Sequence, residues 1–185
     1  MNPIALKRHL AILTNPGVPS PKDGIYTVGI LLDGSPTHKQ VPLIDHHELG
    51  APTIGVCAIT AIPLGRLSDG ATICTFVANI ATAEKIGVGQ NVSISYAVKQ
   101  QHQSDGMKIH FITLDDIIEV SLVDIAHIAG AEVIDPTSLQ QILITDQMRQ
   151  LHEHVQTGSP LVSAAAACAA ILSAKNQSQD APKND

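Results

Sequence analysis

The sequence predicts a mainly β protein: a small, partly open antiparallel barrel of short strands, followed by an α-helical extension. Three observations predict it. Turn signals at Ser68-Asp69-Gly70, Gly87-Val88-Gly89 and Ser104-Asp105-Gly106 cut the first two thirds of the chain into short apolar segments. Within them, "NVSISYAV" alternates Val92, Ile94 and Tyr96 with Ser93, Ser95 and Ala97, the period of two that belongs to a half-buried strand. After Ala129 the apolar spacing changes to that of a helix.

Taken in order, the candidate strands are Ala5 to Leu13, Ile25 to Leu32, Thr53 to Leu64, Ala71 to Ile80, Asn91 to Val98, Met107 to Thr113 and Asp116 to Val123. The last two are separated by so little that the chain either turns a sharp corner there or runs as one bent strand. Such strands at such spacing suit a small barrel or sandwich. Downstream, Leu139, Ile142, Leu143, Met148, Leu151 and Val155 recur at helical spacing, with Asp135 or Thr137 as cap and Gly158-Ser159-Pro160 as the stop. A second helix of small residues is expected over Pro160 to Ala174, and a polar, disordered tail from Lys175. The expected organisation is therefore a β-barrel domain over 1–125, a helical extension over 130–174 and a tail over 175–185.

Composition narrows the function classes. Hydrophobic residues make up 44% of the 185 and aromatics only 2%, with no Trp, so the core must be aliphatic. The net charge is -6 and the eleven Lys and Arg are scattered, which argues against a nucleic-acid or anionic-membrane partner. Cys57, Cys74 and Cys168 form no paired spacing, so neither a disulfide framework nor a zinc site is expected; Cys57 and Cys74 read as small core residues. Charged residues in the opening "MNPIALKRHLAIL" and the shortness of "LVSAAAACAAIL" predict a cytoplasmic protein without a signal peptide or membrane span.

One stretch has two readings. In "GILLDGS", Gly29 and Gly34 bracket Ile30, Leu31 and Leu32, within a segment from Asn15 to Pro42 that is otherwise polar and rich in Gly and Pro. The triplet is either the middle of a buried strand or an apolar anchor carried on a solvated arm. The order of features around it resembles the GroES-type co-chaperonins, the lids of chaperonin rings. "NPIALKRHLAIL" is similar to that family's opening strand, "GILLDGS" to its mobile loop, "GRLSDGAT" to its roof hairpin, "VGQNVSISY" to the segment opening the next strand, and "MKIHFITLDDIIEVSL" to its closing strand pair. The resemblance covers residues 2 to about 124. A longer connection over 41–52 and the helical region have no counterpart in the bacterial lids, as in a divergent or virus-encoded relative.

The resemblance implies a non-enzymatic co-chaperonin, without cofactor, that caps a GroEL-type chaperonin while a client protein folds inside. It implies a homo-oligomeric ring, a heptamer, working in the cytoplasm, or the host cytoplasm for a viral protein. Gly29, Ile30, Leu31, Leu32 and Gly34 on a mobile loop over about 15–42 would bind the chaperonin, and Arg66, Leu67, Ser68, Asp69 and Gly70 would form the roof hairpin. Burying three aliphatic anchors contributes roughly 1.5 to 3 kcal/mol each. Ordering the loop offsets much of that, so useful affinity would come from several loops acting together.

Two rivals stand beside it. A viral structural or assembly protein would use the same barrel to associate with its own kind. A metal-dependent phosphoesterase of the DHH type is suggested by "LIDHHELG", where Asp45, His46, His47 and Glu48 stand in a row. Alternation along a strand would let Asp45 share a site with His47 but would send His46 and Glu48 to the other face. That family needs further aspartates on earlier strands, and only Asp23 and Asp33 precede Asp45. His152 and His154 in "LHEHV" are spaced for different helix faces rather than for chelation. With no phosphate-binding loop, nucleophile elbow or dinucleotide fingerprint, no catalytic residue and no metal ligand is expected, and the DHH run is expected to be a solvated loop crest.

Overall fold

The computed structural model of the chain describes residues 6–14, 20, 22–47, 50–66, 71–98, 100–104 and 107–138. These residues are mainly β, in a single ten-stranded sheet curled into a half-barrel. Its strands are β1 (Lys7–Ile12), β2 (Ile25–Leu31), β3 (His38–Asp45), β4 (Thr53–Arg66), β5 (Thr72–Thr82), β6 (Val92–Tyr96), β7 (Gln100–Ser104), β8 (Met107–Ile112), β9 (Ile117–Leu122) and β10 (Val133–Ile134). The hydrogen-bonded order is β6-β9-β3-β4-β5-β2-β8-β7, with β1 paired to β5 and β10.

The long β5 is the spine. One edge pairs with β4 from Gly55↔Thr82 to Arg66↔Thr72, and the other is shared end to end by β2 (Gly29↔Cys74) and β1 (Lys7↔Thr82). All eleven residues from Thr72 to Thr82 except Asn79, Thr72 and Ala81 are buried, because both faces of this strand are covered. The core is aliphatic, as the composition requires: Leu43, Ile59, Ile80, Ile112, Leu114, Ile117 and Val120 pack around Phe76. Cys57 and Cys74 are buried within it, and that burial pushes both thiols up to about 12, so they remain protonated packing groups.

Seven of the strands fall where the sequence places them. Between β8 and β9 the chain turns a corner: a 3-10 turn, Leu114–Asp116, is held by Asp116, whose Oδ2 accepts from the Thr113 N–H at 2.7 Å and the Thr113 hydroxyl at 2.9 Å. Lys39 Nζ donates to the carbonyls of Asp115 and Ile117 from the neighbouring β3. The corner sends β8 to pair in parallel with β2, and β9 to pair in parallel with β3.

Two expectations are corrected. Ile30 and Leu31, expected on a mobile loop, belong to β2 and are only 5% and 6% exposed, hydrogen-bonded opposite Ile73 and Thr72. Gly29, expected on the same loop, also lies within β2. A Cβ there would lie 2.7 Å from the Cys74 carbonyl oxygen and 2.9 Å from the Phe76 ring, so this glycine lets β2 close on β5. Of the triplet only Leu32 emerges, at 58% exposure, into the turn where Gly34 takes a left-handed φ of 81°. The second correction is β3: His38–Asp45, expected as loop, is a strand between β4 and β9, with Val41, Leu43 and Ile44 buried in the core.

The roof-hairpin residues Leu67, Ser68, Asp69 and Gly70 lie outside the described residues, while Arg66 ends β4. The helical extension expected over 130–174 does not begin as expected, since Val133–Ile134 form β10 and Pro136–Ser138 a 3-10 turn; its remainder over 139–174, the tail and Cys168 lie outside the described residues. Asp135 Oδ1 accepts from the Thr137 N–H at 2.8 Å beside the 3-10 turn Pro136–Ser138, while the helix that Asp135 or Thr137 is expected to cap lies outside the described residues. Among the described residues no helix is long and apolar enough to cross a membrane.

The inward position of the triplet has a direct test. Leu31→Asp, which would only weaken docking of an exposed anchor, is expected here to destabilise the domain by on the order of 3–5 kcal/mol, because it leaves an unpaired charge in the core. Gly29→Ala should cost about 1–3 kcal/mol through its clash with Cys74 and Phe76. Urea titrations of the two variants beside the wild type measure both.

Candidate active site

The run Asp45-His46-His47 ends β3 and starts a tight turn. His46 adopts φ 53°, a left-handed conformation uncommon for a residue with a side chain, and its N–H donates to the Leu122 carbonyl at 3.0 Å. Gly50 follows with φ 84°. This turn breaks the strand alternation on which a shared Asp45–His47 site was premised. Asp45 Oδ1 lies 2.9 Å from His46 Nδ1 on the turn's outer side, whereas His47 folds back over β9. Among the described residues no group of three His, Cys, Asp or Glu converges as a metal site.

What His47 meets is a carboxylate and two hydroxyls. Its Nδ1 lies 2.9 Å from Glu119 Oε1, 3.1 Å from Ser95 Oγ and 2.9 Å from Ser121 Oγ. Both hydroxyls donate to the same Glu119 oxygen, Ser95 at 2.9 Å and Ser121 at 3.2 Å. The pairing of β6 with β9 explains the convergence. Ser95 is directly opposite Glu119 and Ser93 opposite Ser121, so four polar side chains share one face of the two strands. Neither β6 nor β9 carries the site alone, and β3 delivers the imidazole from β9's other edge.

The electrostatics follow from this crowding. Burial pushes the Glu119 carboxyl upward, but hydrogen bonds from His47, Ser95 and Ser121 and the positive charge available on His47 outweigh it, so the group is held below its ordinary value of 4.5. Glu119 is therefore an anion at neutral pH. Ser121 is fully buried, Ser95 is half-buried, and Ser93 lines the cleft without a described contact to His47. Ser95 is thus the hydroxyl that both reaches His47 and opens to the surface.

Two hollows meet at this cluster, and Ser95 and His47 line both. The larger, about 610 Å³, runs past Tyr96, Val123, Asp124, Ile125 and His127; the smaller, about 290 Å³, is walled by Ile44, Gly50, Ala51 and Ile118 on the Glu119 side. The larger hollow follows β6, which ends the sheet order. Val123 N–H donates to the Asn91 carbonyl on β9's side, and Val92 N–H donates to the Ala131 carbonyl on the opposite side. By alternation, the N–H and C=O of Ile94 point away from β9, and no described strand pairs with them. At the floor, Tyr96 Oη lies 3.0 Å from His110 Nδ1 and 3.1 Å from Thr27 Oγ1, tying β6 to β8 and β2 across the mouth of the curled sheet.

Of the residues singled out in the sequence, His47 belongs to this site; Asp45 and His46 flank it, Glu48 lies outside the described residues, and Gly29 to Gly34 and Arg66 are elsewhere. Ser95, Glu119 and Ser121 carried a sequence signal, the alternation in "VSIS" and "EVS", but that pattern is the same as a solvent-facing strand face.

The depressed carboxyl fixes the sign of the pH dependence. Because the folded value of Glu119 lies below its unfolded one, its contribution to stability is complete above the unfolded value and disappears as the pH falls through the folded value. Melting temperatures taken from neutral pH down to about pH 3 should therefore decline in the wild type, and decline less steeply in Glu119→Gln, which has no such proton to take up.

Compared with known proteins, the chain matches no family model, no curated protein and no solved structure, so its function rests on the geometry of the cluster itself.

Proposed function

We propose that the protein is a serine hydrolase that cleaves an extended polypeptide, with Ser95 as nucleophile, Glu119 as the carboxylate that takes its proton and His47 as the imidazole that holds that carboxylate in place. The observation that carries this reading is the meeting of a hydroxyl, an imidazole and a carboxylate within 3.1 Å of one nitrogen, at the junction of two surface hollows. A nucleophile and its base are recognised by geometry and roles, on any fold.

The steps balance. Ser95 Oγ attacks the carbonyl carbon while its proton passes to Glu119 Oε1, 2.9 Å away, the oxygen it already donates to. His47 Nδ1–H, 2.9 Å from the same oxygen, holds the carboxylate in line with the hydroxyl. The C–N bond breaks as Glu119 returns the proton to the leaving amine. Water then attacks the acyl-serine by the same route and releases the acid. An extended peptide suits the site because the N–H and C=O of Ile94 face away from β9, on the side of β6 where no described strand pairs, so a peptide can add there as a strand adjacent to the nucleophile.

The chaperonin-lid reading would need Ile30, Leu31 and Leu32 presented to a partner. With two of the three in the core, it retains Leu32 alone, at the rim of a hollow of about 360 Å³ beside Phe111. A GroES-like barrel and a heptameric ring therefore have less behind them than the hydrolase. The phosphoesterase has less still, since His47 is engaged by Glu119 rather than by Asp45.

Treatment with an aryl fluorophosphonate is expected to label Ser95 and no other residue, and digestion of an unfolded polypeptide such as casein should fall in Ser95→Ala by on the order of 10³-fold or more. Labelling that persists in Ser95→Ala, or casein cleavage that is unchanged by it, would remove Ser95 from the mechanism.

A further inference from the structure

The two hollows that meet at Ser95 differ in chemistry. The larger is mixed, with Lys22, His46, Asp124 and His127 among its lining groups. The smaller is different: apart from Ser95, His47 and Glu119, every residue lining it is aliphatic or glycine, namely Ile44, Gly50, Ala51 and Ile118. Ile118 stands 60% exposed on β9 directly beside Glu119. A lone exposed isoleucine on a protein surface calls for no explanation. One that forms the wall of a hollow shared with a hydroxyl, an imidazole and a carboxylate does.

From this we infer, on the basis of the hydrolase reading, that the smaller hollow is a specificity subsite: it receives an aliphatic side chain of the substrate residue flanking the cleaved bond. Several features agree. The pocket abuts Ser95, so a chain whose carbonyl sits at Oγ has its neighbouring side chain within reach of Ile118 and Ala51. At about 290 Å³ it has room for Leu, Ile or Val. The partly buried Glu119 carboxylate beside it makes an acidic side chain unfavourable there by like-charge repulsion. Covering Ile118 with a substrate side chain would also shield the Glu119–His47 pair from water, strengthening their interaction during the reaction. The larger hollow, with ionisable groups of both signs, takes the polar remainder of the chain.

Discrimination from one such pocket is modest. Substrates with Leu, Ile or Val at the flanking position should be cleaved about 10- to 100-fold faster, in kcat/KM, than those with Gly or Asp there. The test profiles cleavage of a peptide mixture by the full-length protein, with fluorophosphonate labelling of Ser95 run alongside on every variant. In the wild type, one position next to the cleaved bond should be enriched in Leu, Ile and Val. Ile118→Asp should lose that enrichment, and Ala51→Leu, which fills the pocket, should shift it toward Ala and Gly, both with Ser95 still labelled. If Ser95 is labelled and peptides are cut but no flanking position prefers aliphatic residues, or if both variants keep the wild-type profile, the subsite is refuted while the hydrolase stands. If the wild type is neither labelled nor active, the hydrolase reading and the subsite fall together.

Discussion

Strand β9 is hydrogen-bonded on both edges, antiparallel to β6 and parallel to β3, and the candidate site exists because of that double pairing. The antiparallel register sets Glu119 against Ser95 and Ser121 against Ser93. The parallel register ends at Asp45↔Leu122, so the chain leaving β3 emerges beyond the polar face and must turn back to reach it. His46 makes that turn in a left-handed conformation that costs on the order of 1–3 kcal/mol for a non-glycine residue. Its hydrogen bond to Leu122 anchors the turn to the same strand. A slip of one residue in either ladder would send Glu119 to the opposite face and disassemble the cluster.

The cluster also manages a charge in a partly buried position. A carboxylate removed from water destabilises the fold unless hydrogen bonds replace the solvent, and Glu119 receives bonds from an imidazole and two hydroxyls. That same set of donors fixes the oxygen 2.9 Å from the Ser95 hydroxyl. The arrangement that stabilises the charge is thus the one on which the proposed reaction relies. Ser121, fully buried, can contribute only to the stabilisation by holding the imidazole and carboxylate in register, while Ser95 is open to the cleft and can serve both.

The curl of the sheet has its own fastening. Tyr96 reaches from β6 to Thr27 on β2 and His110 on β8, linking parts of the sheet that are far apart in the strand order. Burial pushes the Tyr96 phenol up and the His110 imidazole down, so both stay uncharged and the link is a neutral hydrogen-bond chain under the larger hollow. The depth of the cleft beside Ser95 therefore depends on residues that take no part in the chemistry.

The sequence by itself determined the β class, the aliphatic core and most of the strands, because period-two alternation and Gly-containing turns are local properties that survive without knowledge of partners. It also marked His47 as a residue of interest, though for the wrong partner. What only the tertiary structure decided was pairing. "GILLDGS" could be strand or arm until β5 closed over Gly29 with Cys74 and Phe76, a contact between residues more than forty positions apart. "HKQVPLID" was hidden as a strand by the Pro42 and charged residues within it, and became one through β4 and β9. Ser95 and Glu119 looked like the wet face of two ordinary strands, since an alternating polar residue reads the same whether it faces water or a catalytic partner. Their chemistry arises only when three strands separated in sequence bring a hydroxyl, an imidazole and a carboxylate to one point, and no local pattern encodes that distance.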